Sequence, residues 1–192
     1  MTLPISRRSV LAGSVGVSVA LVAACAQGEA ELPGQLANVD VLPPAVRDKL
    51  DAAMRSAIAA APSAGDPFGA VLVDASNGDV VAAAGNQTTS GDPSAHAEVD
   101  VLRKAGLEGV DLKSTYLITT AESCAMCAAC AVWAGVQGVV YGTSIAFLKQ
   151  SGWNQFDLTQ PQIVAASWLS MPVVGGYLRD LTDPLYAEGP PA

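Results

Sequence analysis

Four residues in two short segments bear the groups best suited to chemistry: His96 and Glu98 in His-Ala-Glu, and Cys124 and Cys127 in Cys-Ala-Met-Cys. One imidazole nitrogen and two thiolates form a donor set that zinc takes when its fourth position must stay open. Two cysteines three apart at a helix start share a face and converge on one ion. Water held there becomes a nucleophile near neutral pH. Glu98, two residues from the nitrogen ligand, is placed to take the water's proton and deliver it to a ring nitrogen and a departing amine. Such a set suits attack of water on an amino-bearing, amidine-like carbon. His96 is the only histidine, which excludes a three-His zinc site and a His-Glu-x-x-His helix.

The other cysteines bound this reading. Cys124, Cys127 and Cys130 lie within seven residues, whereas a disulfide framework spreads its cysteines along the chain. A Cys-x-x-Cys pair also suits a thiol–disulfide module, which would oxidise reversibly and hold no metal. Cys130, one turn beyond Cys127, reads as a buried thiol. As a fourth ligand it would close the site and make it structural.

The elements that position these residues follow from periodicity and turn signals. Residues 45–61 form a helix with Val46, Leu50, Met54 and Ile58 on one face. Strands are expected over 68–73 and 79–84, joined by a turn with an Asn-Gly signal at Asn77-Gly78. A polar loop over 85–94 leads to a helix over 95–104, with Asp92-Pro-Ser94 as its N-terminal cap. A strand over 115–119, a helix over 124–134 and a strand over 139–142 follow. The remainder holds a helix near 161–166, an extended Val173–Val174 and a short helix near 177–186. Trp153 and Phe156 are expected to pack in this C-terminal region. The order describes an α/β fold: a three-layer α/β/α arrangement with a mixed central sheet of about five strands flanked by helices.

Of the 192 residues, 51% are apolar and 15% charged, the composition of one packed domain. The formal net charge is −8, and no basic stripe is visible. Such a surface repels phosphate backbones, so the charge argues against nucleic acid and for a small-molecule substrate.

The N-terminus reads as an address. Arg7-Arg8 precede a mildly apolar run from Val10 to Ala24. As a helix that run is roughly 22 Å long, short of a ~30 Å hydrocarbon core. A charged start, a short apolar stretch and small residues at its end describe a removable signal over 1–24. The arginine pair resembles a twin-arginine signal, and Val22-Ala-Ala-Cys25 resembles a lipoprotein cleavage box. The resemblance implies lipidation of Cys25 and an exported, membrane-anchored or extracytoplasmic protein, with lipid its sole membrane contact. Residues 25–42 read as a flexible spacer, and 43–192 as the zinc-dependent domain.

Asp92-Pro-Ser-Ala-His-Ala-Glu98 and Glu122-Ser-Cys-Ala-Met-Cys127 together resemble the cytidine deaminase-like superfamily, whose signature pairs His-x-Glu with Pro-Cys-x-x-Cys. The likeness covers roughly residues 43–186. Within the superfamily the chain is most similar to the branch of guanine, cytosine and tRNA adenosine deaminases. The resemblance implies Zn²⁺ as cofactor, a nucleobase or nucleoside as substrate, release of ammonia, and a homodimer. It makes Pro67-Phe68-Gly69-Ala70 a pocket wall, sets Asn86 on the base, and matches Trp133 to an aromatic of guanine deaminases. That match puts a guanine-like purine first and cytosine second. Segments near the C-terminus cover the substrate in similar enzymes, so a lid stays open here as the alternative to simple packing of that region. Ser123 departs from the pattern, standing where the family usually has proline. Two further readings stay open: a surface module that keeps zinc without turnover, and a tRNA adenosine deaminase, against which the acidic charge and the export signal argue.

Overall fold

Val46, Leu50 and Met54 fall on one stripe of α1 (Pro44–Ala60), joined by Ala53 and Ala57, and all five are buried. The expected Ile58 lies at the margin of the stripe, half-buried. These positions belong to a computed structural model that describes residues 34–62 and 65–191. The export signal and Cys25 fall on residues 1–33 and lie outside the described residues.

Five strands form one sheet in the order β2-β1-β3-β4-β5. β1 (Gly69–Asp74) pairs antiparallel with both β2 (Val80–Gly85) and β3 (Thr115–Ala121). β3 runs parallel to β4 (Gly138–Thr143), and β4 to β5 (Val173–Val174). The sheet is therefore mixed, as expected. Its strands alternate between two cores, because successive side chains leave opposite faces. Ala70, Leu72, Leu117, Val139, Tyr141 and Val173 face α2 (Ala97–Leu107), α3 (Ala125–Ala134) and α5 (Gln160–Ala165). Val71, Val73, Ile118, Val140 and Val174 face α1. Both faces of the central strands are buried, which explains their near-continuous apolar sequences.

Several features differ from the sequence reading for physical reasons. The backbone stays extended through His96 (φ −68°, ψ 151°), so α2 starts at Ala97 rather than Ala95. Asp92 does not cap it: its carboxylate accepts from the backbone N–H and hydroxyl of Ser94, at 2.9 and 2.6 Å. A short helix absent from the sequence reading, α4 (Ile145–Gln150), begins where the Ser144 hydroxyl accepts from the Phe147 N–H at 3.2 Å. Part of the segment read as spacer belongs to the domain. The Ala37 N–H donates to the Val173 carbonyl at 2.8 Å, and Leu42 is buried against α1. Phe156 is exposed rather than packed.

Gly69 marks the closest approach of sheet and helix. A Cβ there would stand 2.0 Å from the Ala57 carbonyl oxygen, so any side chain would push α1 off β1. The last helix, α6 (Arg179–Tyr186), ends in Tyr186, which is fully buried. Its hydroxyl lies 2.6 Å from Thr120 Oγ1 and 3.1 Å from the Pro67 carbonyl, tying the C-terminal helix to the residues before β1.

Candidate active site

β1 begins at the sheet edge where β3 and β4 end, since β1 is antiparallel to β3 and β3 parallel to β4. α2 starts after the loop from β2, and α3 starts just after β3, with His96 and Cys124 as their N-terminal caps. Neither cap side chain closes its own helix by a hydrogen bond. Both are turned to each other instead. His96 Nδ1 lies 3.7 Å from Cys124 Sγ and 3.5 Å from Cys127 Sγ, and the two sulfurs are 3.6 Å apart.

These separations fit zinc. With Zn–S of about 2.3 Å and Zn–N of about 2.0–2.1 Å in a tetrahedron, donor atoms stand roughly 3.6–3.8 Å from one another. The three expected ligands form the one such donor group among the described residues. Cys130 is half-buried and outside that group, so the described residues would supply three ligands and no fourth. Burial raises the Cys130 pKa, and nearby Glu98 raises it further.

The electrostatics suit a cation. Cys124 is held down to about 4, chiefly by a hydrogen bond from Cys127 and then by one with His96. Cys127 is pushed up by its hydrogen bond with Cys124 and by burial. His96 is raised by its hydrogen bond with Cys124, against the opposing effect of burial. Glu98 is 7% exposed, and burial followed by the Cys124 charge raises its carboxyl.

The triad opens into a cleft of about 240 Å³. Phe68, Trp153 and Tyr186 make an aromatic cluster beside it, with Phe68 5.2 Å from Trp153 and 4.9 Å from Tyr186 between ring centres. The Trp153 indole N–H donates to the Tyr186 carbonyl at 3.0 Å, which fixes that ring. Asn86 lines the cleft, and its amide N–H₂ donates to Thr88 Oγ1 at 2.9 Å and, more weakly, to Asp66 at 3.4 Å. Among the described residues lining the cleft there is no lysine or arginine.

Of the residues expected to bind substrate, Phe68 and Asn86 are at the cleft. Gly69 faces α1, and Ala70 is buried between sheet and helices, so neither reaches it. Trp133 is also elsewhere. It lies at the end of α3, 76% exposed, with its ring 4.4 Å from that of Trp168. The sequence reading missed Asp66, Glu122, Asn154, Gln155 and Pro190, and placed Trp153 only in packing. Glu122 could have been suspected, being an acid beside Cys124. Its carboxylate accepts the Ile145 and Gln160 N–H groups, each at 2.9 Å, joining the starts of α4 and α5.

Residues 47–143 match the family described as the cytidine and deoxycytidylate deaminase zinc-binding region. A probable cytosine deaminase of Schizosaccharomyces pombe is 32% identical over 119 residues, 59% of this chain and 73% of that protein. A guanine deaminase of Bacillus subtilis is 39% identical over 93 residues, 47% of this chain and 58% of that protein. The solved guanine deaminase of Nitrosomonas europaea superposes with a TM-score of 0.62 at 21% identity, covering 81% of this chain and 86% of that one; it shows the same fold.

Proposed function

The chain belongs to the cytidine and deoxycytidylate deaminase zinc-binding family, and on that footing we propose that it hydrolytically deaminates a free nucleobase, guanine-like first and cytosine second. The observation that carries this is the His96, Cys124 and Cys127 triad with buried Glu98, set in a small cleft with no lysine or arginine among its described lining residues. The cleft is smaller than the ~300–1,000 Å³ typical of ligand pockets, which suits one base rather than a nucleotide. With Trp133 outside the cleft, the preference for guanine rests on acceptors. Asp66 lines it, and Gln155 Oε1 is buried without a partner. A donor-rich base answers such a lining.

His96, Cys124 and Cys127 would hold the zinc, which would supply an activated water. Phe68 and Trp153 offer flat apolar surface to a ring. Asn86, with its amide N–H₂ engaged, offers its carbonyl oxygen to an N–H of the base. Glu98 accepts a proton at its carboxylate and returns it. In the net reaction a C–O bond forms and the C–N bond breaks. One proton of the water ends on the ring nitrogen and the other on the departing ammonia.

Ammonia release from zinc-loaded protein tests this with free bases, nucleosides, 5′-nucleotides and an anticodon hairpin. Guanine should turn over fastest and 5′-nucleotides slowest. Fastest turnover of a nucleotide or of adenosine in the hairpin overturns the reading, and no ammonia from any substrate at full zinc supports a module without turnover. Asn86→Ala should lower kcat/KM by about 10–100-fold with zinc retained, because a buried substrate N–H loses its acceptor.

Two further proposals concern the surroundings of the site. Export and lipidation at Cys25 would place the protein at an extracytoplasmic membrane surface, which fractionation with acyl-chain labelling checks. The homodimer implied by resemblance would meet at α3, a helix with no charged residue. Its outward Met126, Cys130 and Trp133, beside Trp168, form an uncharged strip. Trp133→Glu should then shift the protein from dimer to monomer in sedimentation without removing zinc.

A further inference from the structure

Glu122 follows the last residue of β3, two positions before the Cys124 cap of α3, and is buried. Both of its carboxylate oxygens are engaged. Oε2 accepts the Ile145 N–H at the start of α4, and Oε1 accepts the Gln160 N–H at the start of α5, each at 2.9 Å. Its own N–H donates to the Thr143 carbonyl at the end of β4, at 2.7 Å. Neither helix needs this carboxylate for an ordinary cap. The Ser144 hydroxyl already serves α4, and Thr159 with Gln162 forms a capping box on α5. Glu122 adds a link between the two starts, with a negative charge favourable at each. The chain between the two helices, residues 151–159, brings Trp153, Asn154 and Gln155 to the cleft and forms neither helix nor strand. Within it, the Trp153 indole is bonded to the Tyr186 carbonyl, and Asp157 pairs with Lys149 at the surface. Its two ends are set by Glu122.

We propose that Glu122 is a positioning residue for substrate binding. It clamps both ends of the segment that walls the cleft to the strand end that leads into Cys124 and Cys127, and so fixes that wall relative to the metal triad. It acts through Trp153 and Gln155 rather than on the substrate, because backbone N–H groups occupy both of its oxygens. This rests on the reading of the cleft as a base site. Glu122→Gln keeps the size of the side chain and one acceptor oxygen. Its N–H₂ would face the other backbone N–H, which releases one helix start and strands a buried donor.

The test places Glu122→Gln in the full zinc-loaded chain. KM for the best base should rise about tenfold, the worth of one hydrogen bond to a charged group, with kcat within about twofold of the parent and zinc content unchanged. In a Trp153→Ala background, where that part of the wall is already gone, the same substitution should raise KM far less. A second measurement needs no turnover. In hydrogen exchange read by mass spectrometry, Glu122→Gln should lose protection in peptides spanning 145–160 while peptides from β1, α2 and α3 keep theirs. An unchanged KM overturns the proposal, as does an equal rise in the two backgrounds. Protection lost evenly along the chain, or loss of zinc, overturns it too, because either marks a merely structural part. If the parent protein deaminates no base, the proposed function fails while the exchange pattern still decides whether Glu122 clamps the segment.

Discussion

Glu98→Gln is expected to keep zinc at full occupancy and to lose deamination by about 10²–10⁴-fold, the usual worth of a positioned acid–base group. Glutamine has the size of glutamate and fills the same buried place on the first turn of α2. It cannot take a proton from water or return one to an amine. Burial and the neighbouring Cys124 charge both hold the Glu98 carboxyl above its ordinary range, which makes it a better base than a solvated carboxylate. The check is ammonia release alongside metal analysis on the same sample. Loss of rate with zinc retained assigns the proton transfer to Glu98. A variant that turns over at the parent rate would remove it from the chemistry, and one that loses zinc would give it a structural part.

Removing the metal is the second large perturbation. Anything that binds only the folded state stabilises it, by about 4 kcal/mol at a thousand times its dissociation constant. For a chain of this size that corresponds to a fall of about 8–16 °C in the thermal midpoint on chelation. Cys127→Ser should give the same fall without a chelator, and no activity. Acid should act in the same direction. The metal-free His96 pKa is raised by its hydrogen bond with Cys124, so protons compete for Nδ1 from a higher pH than for an ordinary histidine. Zinc affinity should then fall as pH falls, roughly tenfold per unit for each proton displaced. Metal-free protein should also be vulnerable. Cys124, held down to about 4, is a thiolate at neutral pH with Cys127 only 3.6 Å away. Mass spectrometry after mild oxidant should find those two linked in the metal-free protein and intact in the loaded one. A zinc-depleted protein with an unchanged midpoint and resistant thiols would contradict both expectations.

The metal site was legible in the sequence because its chemistry is carried by residue types at short spacing. His96, Glu98, Cys124 and Cys127 need little more than two helix starts brought to one sheet edge. The sheet was legible too, since β1, β3 and β4 are apolar runs bounded by turns. The cleft was not. Trp153, Gln155 and Pro190 reach it from beyond β4, and nothing in their local pattern separates a cleft wall from packing. Gly69 and Ala70 adjoin Phe68 in sequence, but alternation in a strand turns Gly69 toward α1 and Ala70 toward α2 and α3. Trp133 was misplaced for a similar reason: an aromatic residue on an apolar helix carries no mark of which neighbour it meets. The cap of α2 was misread because His96 must stay extended to aim its ring at the two sulfurs, which delays the helix by two residues.

The division between ligands and cleft wall also orders events during synthesis. Every ligand, and every helix or strand that carries one, precedes Gly135 in the chain. Phe68 and Asn86 precede it as well, but Trp153, Asn154, Gln155 and Pro190, the rest of the wall, are made later. At about 5–20 residues per second, the ribosome needs roughly 3–13 s to pass from Cys127 to Pro190. During that interval the donor set exists and the finished cleft does not, so an ion can arrive from a side that Trp153 and Pro190 later close. The metal centre is the older part of each newly made molecule, and the substrate site is built around it.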